Sequence, residues 1–104
     1  MNIDMPLKFF SALSQETRLK VFKLLIEYGQ TGAAAGIISD RLGIPHNTLS
    51  FHLSHLTQSG LLFSRREGRS IIYSVNYEAI EKLLCFLRED CCIHETDEMP
   101  EGCF

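Results

Sequence analysis

His46-Asn47-Thr48-Leu49-Ser50-Phe51-His52-Leu53-Ser54-His55-Leu56-Thr57-Gln58-Ser59-Gly60 is the stretch on which the fold turns. Leu49, Leu53 and Leu56 recur at helical spacing, which predicts one apolar stripe on a helix from His46 to Ser59, stopped by Gly60. At 100° per residue, Asn47, Ser50, Phe51 and Ser54 fall on the opposite face, with His46 near its entrance. His52 and His55 flank that face, His52 as a packed residue near the core and His55 at the surface. Immediately upstream, Ile37, Ile38 and Leu42 are the apolar residues of a short helix that Gly43 ends, and Pro45 follows two residues later. Helix, sharp turn, helix is the spacing of a helix-turn-helix unit.

Outward from this unit the period changes. Leu61 to Arg65 and Ser70 to Val75 read as strands joined across Arg66-Glu67-Gly68-Arg69, a β-hairpin with glycine at its tip and arginines on both sides. Asn76 is expected to cap a last helix from Tyr77 to about Asp90, with Ile80, Leu83, Leu84 and Leu87 on one face. Toward the N-terminus, a helix is expected from Pro6 to Leu13, carrying Leu7, Phe9, Phe10 and Leu13. Ser14 is expected to cap a second helix whose core residues are Leu19, Phe22, Leu25 and Ile26 and which ends at Tyr28-Gly29. Gln30 to Gly36 reads as a loop. The fold class is therefore mainly α with a β-hairpin: a winged helix-turn-helix of five helices. The expected division is residues 1–90 as one domain and 91–104 as an acidic, cysteine-containing tail.

Size and composition agree with a single small globular domain: 104 residues, 45% hydrophobic and 22% charged. No run approaches the ~20 apolar residues that span a bilayer, and Lys23 interrupts the longest, Val21 to Ile26. Asp4, Pro6 and Lys8 do not make a signal peptide, so a cytoplasmic protein with no membrane partner is expected. The net charge of −3 hides a gradient. Residues 1–40 are neutral; residues 41–75 hold Arg41, Arg65, Arg66 and Arg69 against Glu67 alone; residues 76–104 hold eight acids against Lys82 and Arg88. The middle third is the anion-facing surface.

These elements point to DNA. The exposed helix face suits the major groove, where His46 and Asn47 can bond base edges, Ser50 and Ser54 can touch bases or phosphates, and Phe51 can meet a thymine methyl. Arg66 and Arg69 on the wing supply phosphate contacts. A small polar helix face is otherwise simply solvated, and the arginines ordinary surface charges; the exposed Phe51 and the arginine-tipped wing together favour DNA. Leu7, Phe10 and Leu13 with Ile80, Leu83, Leu84 and Leu87 exceed what one small core needs, which predicts a two-fold homodimer through the terminal helices. Two copies would read half-sites about one helical turn apart on double-stranded operator DNA.

Ala12-Leu13-Ser14-Gln15-Glu16-Thr17-Arg18-Leu19 resembles the opening of the ArsR/SmtB family of metal-responsive repressors. So do Asn47-Thr48-Leu49-Ser50-Phe51-His52-Leu53 with Leu56, Ser59-Gly60-Leu61-Leu62, and Arg66-Glu67-Gly68-Arg69 with Tyr73. The resemblance covers about residues 6–90. It implies a winged-helix homodimer, not an enzyme, that represses transcription until an inducer binds, with no organic cofactor and with DNA contacts at His46, Asn47, Ser50 and Phe51. The family's Cys-x-Cys site before the recognition helix is absent, because Ala35-Gly36-Ile37-Ile38-Ser39-Asp40 holds no sulfur. Its zinc site on the terminal helix is absent too, because that helix holds no histidine. What remains is similar to a subset of arsenite-responsive members with a paired cysteine and a later one: Cys91, Cys92 and Cys103.

All four cysteines, Cys85 included, lie in the last fifth of the chain, so none can staple the first 84 residues, and a reducing compartment is expected. Cys85 lies within the last helix and reads as a small apolar residue. As(III) and Sb(III) are thiophilic and three-coordinate, so three thiolates complete the shell. Ile93 to Gly102 is long enough to bring Cys103 back to Cys91 and Cys92, at a modest loop-closure cost. Three alternatives stay open: a thiol-redox or persulfide sensor, a Zn(II) or Cd(II) site with His94 as fourth ligand, and no ligand at all. From another class, a metal-handling thiol protein could use the fold without DNA.

Overall fold

The computed structural model describes residues 2–95. In chain order they form α1 (Asp4–Leu13), α2 (Glu16–Tyr28), β1 (Ala33–Ala34), α3 (Ala35–Leu42), α4 (His46–Ser59), β2 (Leu62–Glu67), β3 (Ser70–Val75) and α5 (Tyr77–Arg88). Five helices and an antiparallel sheet of order β1-β3-β2 make a winged helix-turn-helix. Its core gathers Phe9 and Ala12 of α1, Val21, Phe22, Leu24 and Leu25 of α2, and Ile38 of α3 against Leu49, Leu53 and Leu56 of α4, closed below by Leu61, Leu62, Val75 and Leu83.

Residue for residue, α4 starts and stops where its leucine period and Gly60 place it. Gly60 ends it in the left-handed conformation, φ 95°, with its N–H donating to the carbonyls of Leu56 and Thr57. Elsewhere the boundaries move. The cap of α2 is Gln15 rather than Ser14: Gln15 lies in extended backbone and its side chain accepts from the Arg18 N–H at 2.8 Å. Ser14 instead follows the last turn of α1, its N–H donating to the Ser11 carbonyl. Arg18 Nε donates to the Ala12 carbonyl at 2.6 Å and ties the two helices at this corner. Leu19, expected in the core, stays exposed, because it lies about 160° round the helix from Val21. In α3 the same argument separates buried Ile38 from exposed Ile37.

The stretch expected to be a loop, Gln30 to Gly36, carries the third strand. A 3-10 turn over Gly29–Thr31 leads into β1, where Ala33 pairs with Tyr73 and Ala34 with Ile72. Gly32 makes this approach possible: at φ 72° a Cβ there would collide with the Tyr73 carbonyl oxygen. The hairpin is longer than expected, because Arg66 and Glu67 pair with Ile71 and Ser70. That leaves Gly68-Arg69 as a two-residue turn with Gly68 at φ 62°. Asn76 does not cap α5 with its side chain; it donates Nδ2–H to the Gly60 carbonyl at 2.8 Å and fastens the start of α5 to the end of α4. The last helix stops at Arg88, short of Asp90, whose φ of 60° cannot continue it. Among the described residues, no helix is long and apolar enough to cross a membrane.

Candidate nucleic-acid interface

The helix-turn-helix corner is built around one buried hydroxyl. Ser39 Oγ donates to the Ile44 carbonyl, while the Ser39 carbonyl accepts from the N–H groups of Gly43 (2.8 Å) and Ile44 (3.2 Å). Gly43 supplies the left-handed residue this reversal needs, at φ 66°. α3 is thereby held against the inner face of α4, and Leu49, Leu53 and Leu56 are pinned inward.

With its inner face fixed, α4 presents His46, Asn47, Ser50, Phe51 and Ser54 to solvent. Phe51 is 79% exposed, which no folding requirement accounts for. Asn47 Oδ1 accepts from the Thr48 N–H at 3.0 Å, so its amide hydrogens point outward as donors. Pro45 at the N-cap offers no side-chain cap, and the peptide N–H groups of His46 and Asn47 add positive potential at the tip. His52 is half-buried, and its pKa lies below the usual imidazole value. Burial is the main cause, followed by the charge of Arg18 and by His55.

The wing divides its arginines between two tasks. Arg65 Nη2 donates to the Thr31 carbonyl at 2.7 Å, Nη1 to the Gln30 carbonyl at 3.3 Å, and Nε to Glu67 at 2.7 Å. It straps the wing to the 3-10 turn and neutralises the hairpin's one acid. Arg66 and Arg69 remain exposed, with no carboxylate paired to either among the described residues. A cleft of about 310 Å³ lies between Arg69 and Tyr73 of the wing and His46 and Ser50 of α4, floored by Ala34 and Gly36. Wing and reading helix thus face one another across a single concave surface. Sequence reasoning counted Arg65 with the other bases and overlooked Ser39; an arginine beside an acid two residues away was the available hint for the first.

The expected dimer residues separate into three groups. Leu7 (60% exposed), Phe10, Leu84 and Leu87 (61%) lie on the surface of α1 and α5, joined by Ile3 and Met5, which the sequence reading left out. Leu13 and Ile80 are half-buried against the protomer's own core, and Leu83 belongs inside it. Leu83 is therefore a core residue rather than a surface one.

Beyond α5 the chain runs in turns, with Asp90 and Cys92 both in the left-handed region. Cys91 and Cys92 are half-buried, and their sulfurs stand 3.1 Å apart. The Cys92 thiol pKa is raised, first by its hydrogen bond with Cys91, then by burial, the charge of Cys91 and a hydrogen bond with Glu95. Cys85 is half-buried within α5 and His94 is exposed. Among the described residues no three metal-binding side chains converge. Cys103, the third expected ligand, lies outside the described residues.

Known proteins place this geometry. Residues 13–64 match the helix-turn-helix domain family. An uncharacterised HTH-type transcriptional regulator of Bacillus subtilis, YbzH, is 31% identical over 97 residues, which span 82% of this chain and 97% of its own. A probable mercury resistance operon repressor of Streptomyces lividans is 31% identical over 98 residues, covering 86% of this chain and 76% of that protein. Among solved structures, an ArsR-like transcriptional regulator from Rhodococcus superposes with a TM-score of 0.70 at 29% identity, over 80% of this chain and 76% of that one. An exposed reading helix, an arginine wing and these relatives lead to one conclusion: the chain belongs to the ArsR-like family of winged helix-turn-helix transcriptional regulators, which bind DNA and are not enzymes.

Proposed function

We propose that this regulator is a homodimeric, cytoplasmic repressor that holds operator DNA until As(III) or Sb(III) binds its C-terminal thiols. Residues 1–90 form the reading and dimerising body, and residues 91–104 the sensing tail. His46, Asn47, Ser50, Phe51 and Ser54 face the bases and adjoining backbone, and Arg66 and Arg69 the phosphates. Leu7, Phe10, Leu84 and Leu87 form the seam between protomers, flanked by Leu13 and Ile80.

The observation that carries the inducer reading is the pair of sulfurs 3.1 Å apart on the first turn beyond α5. A tetrahedral zinc site would hold two sulfurs roughly 3.8 Å apart, from Zn–S bonds of about 2.3 Å. A three-coordinate ion with a lone pair has narrower angles and accepts a closer pair. Zinc also needs its ligands as thiolates. Neutral arsenous acid instead takes neutral thiols: As(OH)₃ exchanges three hydroxyls for three Cys sulfurs, and the three thiol protons leave in three waters. Cys91, Cys92 and Cys103 supply those sulfurs. The Streptomyces relative's name, a mercury operon repressor, also points to a thiophilic inducer.

A mobility-shift assay on the protein's own upstream region, with and without arsenite under reductant, tests this directly. Wild type should bind and then release. Cys91→Ser and Cys92→Ser should bind equally well and ignore arsenite. Loss of binding in the inducer-free variants, or release by arsenite despite them, would overturn the assignment; release by peroxide alone would make the pair a redox sensor instead.

A further inference from the structure

The reading helix is longer than the groove it reads. Fourteen residues of α4 extend about 21 Å, whereas the major groove of B-DNA is about 12 Å wide. With Asn47 and Ser50 of its first half in the groove and its axis crossing the groove, the second half of α4 would lie over the sugar-phosphate strand at the border. There α4 runs beside α1, and between them is a second groove of about 440 Å³ lined by Lys8, Ser11, Phe51, Ser54, His55 and Gln58.

Three features suit this groove to a phosphate. No acidic side chain lines it, and among the described residues no carboxylate pairs with Lys8. A neighbouring groove on the other side of Lys8 differs: besides Lys8 it is lined by Asp4, Glu78 and Lys82, and Lys82 is paired with Glu78 at 3.2 Å. Second, the groove continues the reading face, because Phe51, Ser54 and Gln58 lie within about 40° of Asn47 around α4. Third, its donors are arranged to face outward. Gln58 Nε2 donates to Ser54 Oγ at 3.2 Å, which leaves the Ser54 hydroxyl proton, the second Gln58 amide hydrogen and the Lys8 ammonium for an anion.

We infer that this groove is a second backbone clamp, in which Lys8, Ser11, Ser54 and Gln58 hold one phosphodiester of the operator strand bordering the groove read by Asn47 and Ser50. The inference rests on the DNA-reading face proposed above and extends it onto α1. Leu7 and Phe10 sit on the adjoining flank of that helix, so the clamp joins DNA register to the arrangement of the two protomers.

The test compares wild type, Lys8→Gln, Lys8→Arg, Gln58→Glu and Asn47→Ala on two labelled duplexes, the protein's own upstream region and a scrambled copy. Affinities are measured between about 50 and 200 mM salt. Lys8→Gln should weaken both duplexes by the same factor, on the order of tenfold, and flatten the log–log salt slope by about 1.8 per dimer, one phosphate per protomer. Lys8→Arg should restore the slope, and Gln58→Glu should weaken both duplexes without touching α1. Asn47→Ala should erase the preference for the upstream duplex and keep the slope. An unchanged slope in Lys8→Gln together with unchanged affinity in Gln58→Glu would overturn the clamp and leave the groove to another partner, such as an acidic peptide, while the Asn47 result still supported the reading face. An Asn47→Ala protein that kept its preference would overturn both.

Discussion

Replacing Gly32 with alanine isolates what the smallest strand contributes. Gly32 and Gly29 occupy the same backbone region, at φ 72°, ψ −170° and φ 63°, ψ −150°, open almost only to glycine. Alanine at either position therefore carries a similar backbone strain, on the order of 1–3 kcal/mol. Their surroundings differ completely. Nothing lies within 4 Å of a Cβ at Gly29, whereas one at Gly32 meets the Tyr73 carbonyl and the Ile72 side chain. Gly32→Ala must push β1 off β3 and break the Ala33/Tyr73 and Ala34/Ile72 pairing, worth roughly 2 kcal/mol beyond the shared strain. For a domain of this size that difference lowers Tm by roughly 8–16 °C relative to Gly29→Ala. Circular dichroism melts of both variants at one matched protomer concentration measure it, since dimerisation would otherwise shift the midpoint. Equal midpoints would refute the idea that β1 anchors the wing.

Leu87→Glu, on the exposed row of α1 and α5, should give monomers in sedimentation velocity with an intact far-ultraviolet spectrum, and operator affinity should fall at least tenfold as one half-site is lost. Arg65→Ala removes the strap to Gln30 and Thr31; DNA binding should weaken several-fold on upstream and scrambled duplexes alike, with a Tm loss of only a few degrees because the strap is partly solvated. His52 has a folded pKa below the usual imidazole value of 6.5, so the unfolded chain binds its proton more readily. Its contribution to stability is whole above pH ~6.5 and is lost as pH falls through the lowered value. His52→Gln should therefore show a smaller Tm drop than wild type between neutral and mildly acidic buffer.

Much of this was legible because period and punctuation agreed. Leu49, Leu53 and Leu56 set the inner face of α4, Gly60 ended it, and Asn47, Ser50, Phe51 and Ser54 were left facing outward. The arginine-flanked Gly68 located the wing in the same way. β1 could not be read, since Ala33-Ala34 has neither alternation nor branched side chains, and its pairing depends on what Gly32 permits next to Tyr73. The caps at Ser14 and Asn76 went astray for a related reason: each is a good capping residue locally, but Gln15 has the longer reach, and the Gly60 carbonyl offers Asn76 a tertiary partner. The dimer row was read from hydrophobic surplus, which does not reveal that Leu83 turns inward while Leu84 and Leu87 turn out. The thiol pair at Cys91 and Cys92 was visible as chemistry; the turns that bring its sulfurs together were not.

The seam of two alanines along β3 limits how this molecule can respond. Because β1 runs directly into α3, the wing's inner strand and the helix-turn-helix move as one casting, and Arg65 bolts down the outer strand. The wing and the reading helix are therefore tied to each other more closely than to anything beyond α5. In the dimer proposed above, a signal from that end would travel as a tilt of one whole protomer against the other. With reading heads about 34 Å apart, each sits about 17 Å from the dyad. A tilt of about 10° shifts a head by roughly 3 Å, close to one base-pair step of about 3.4 Å. In such a dimer a small angular change at the axis would put both heads out of step with the double helix at once.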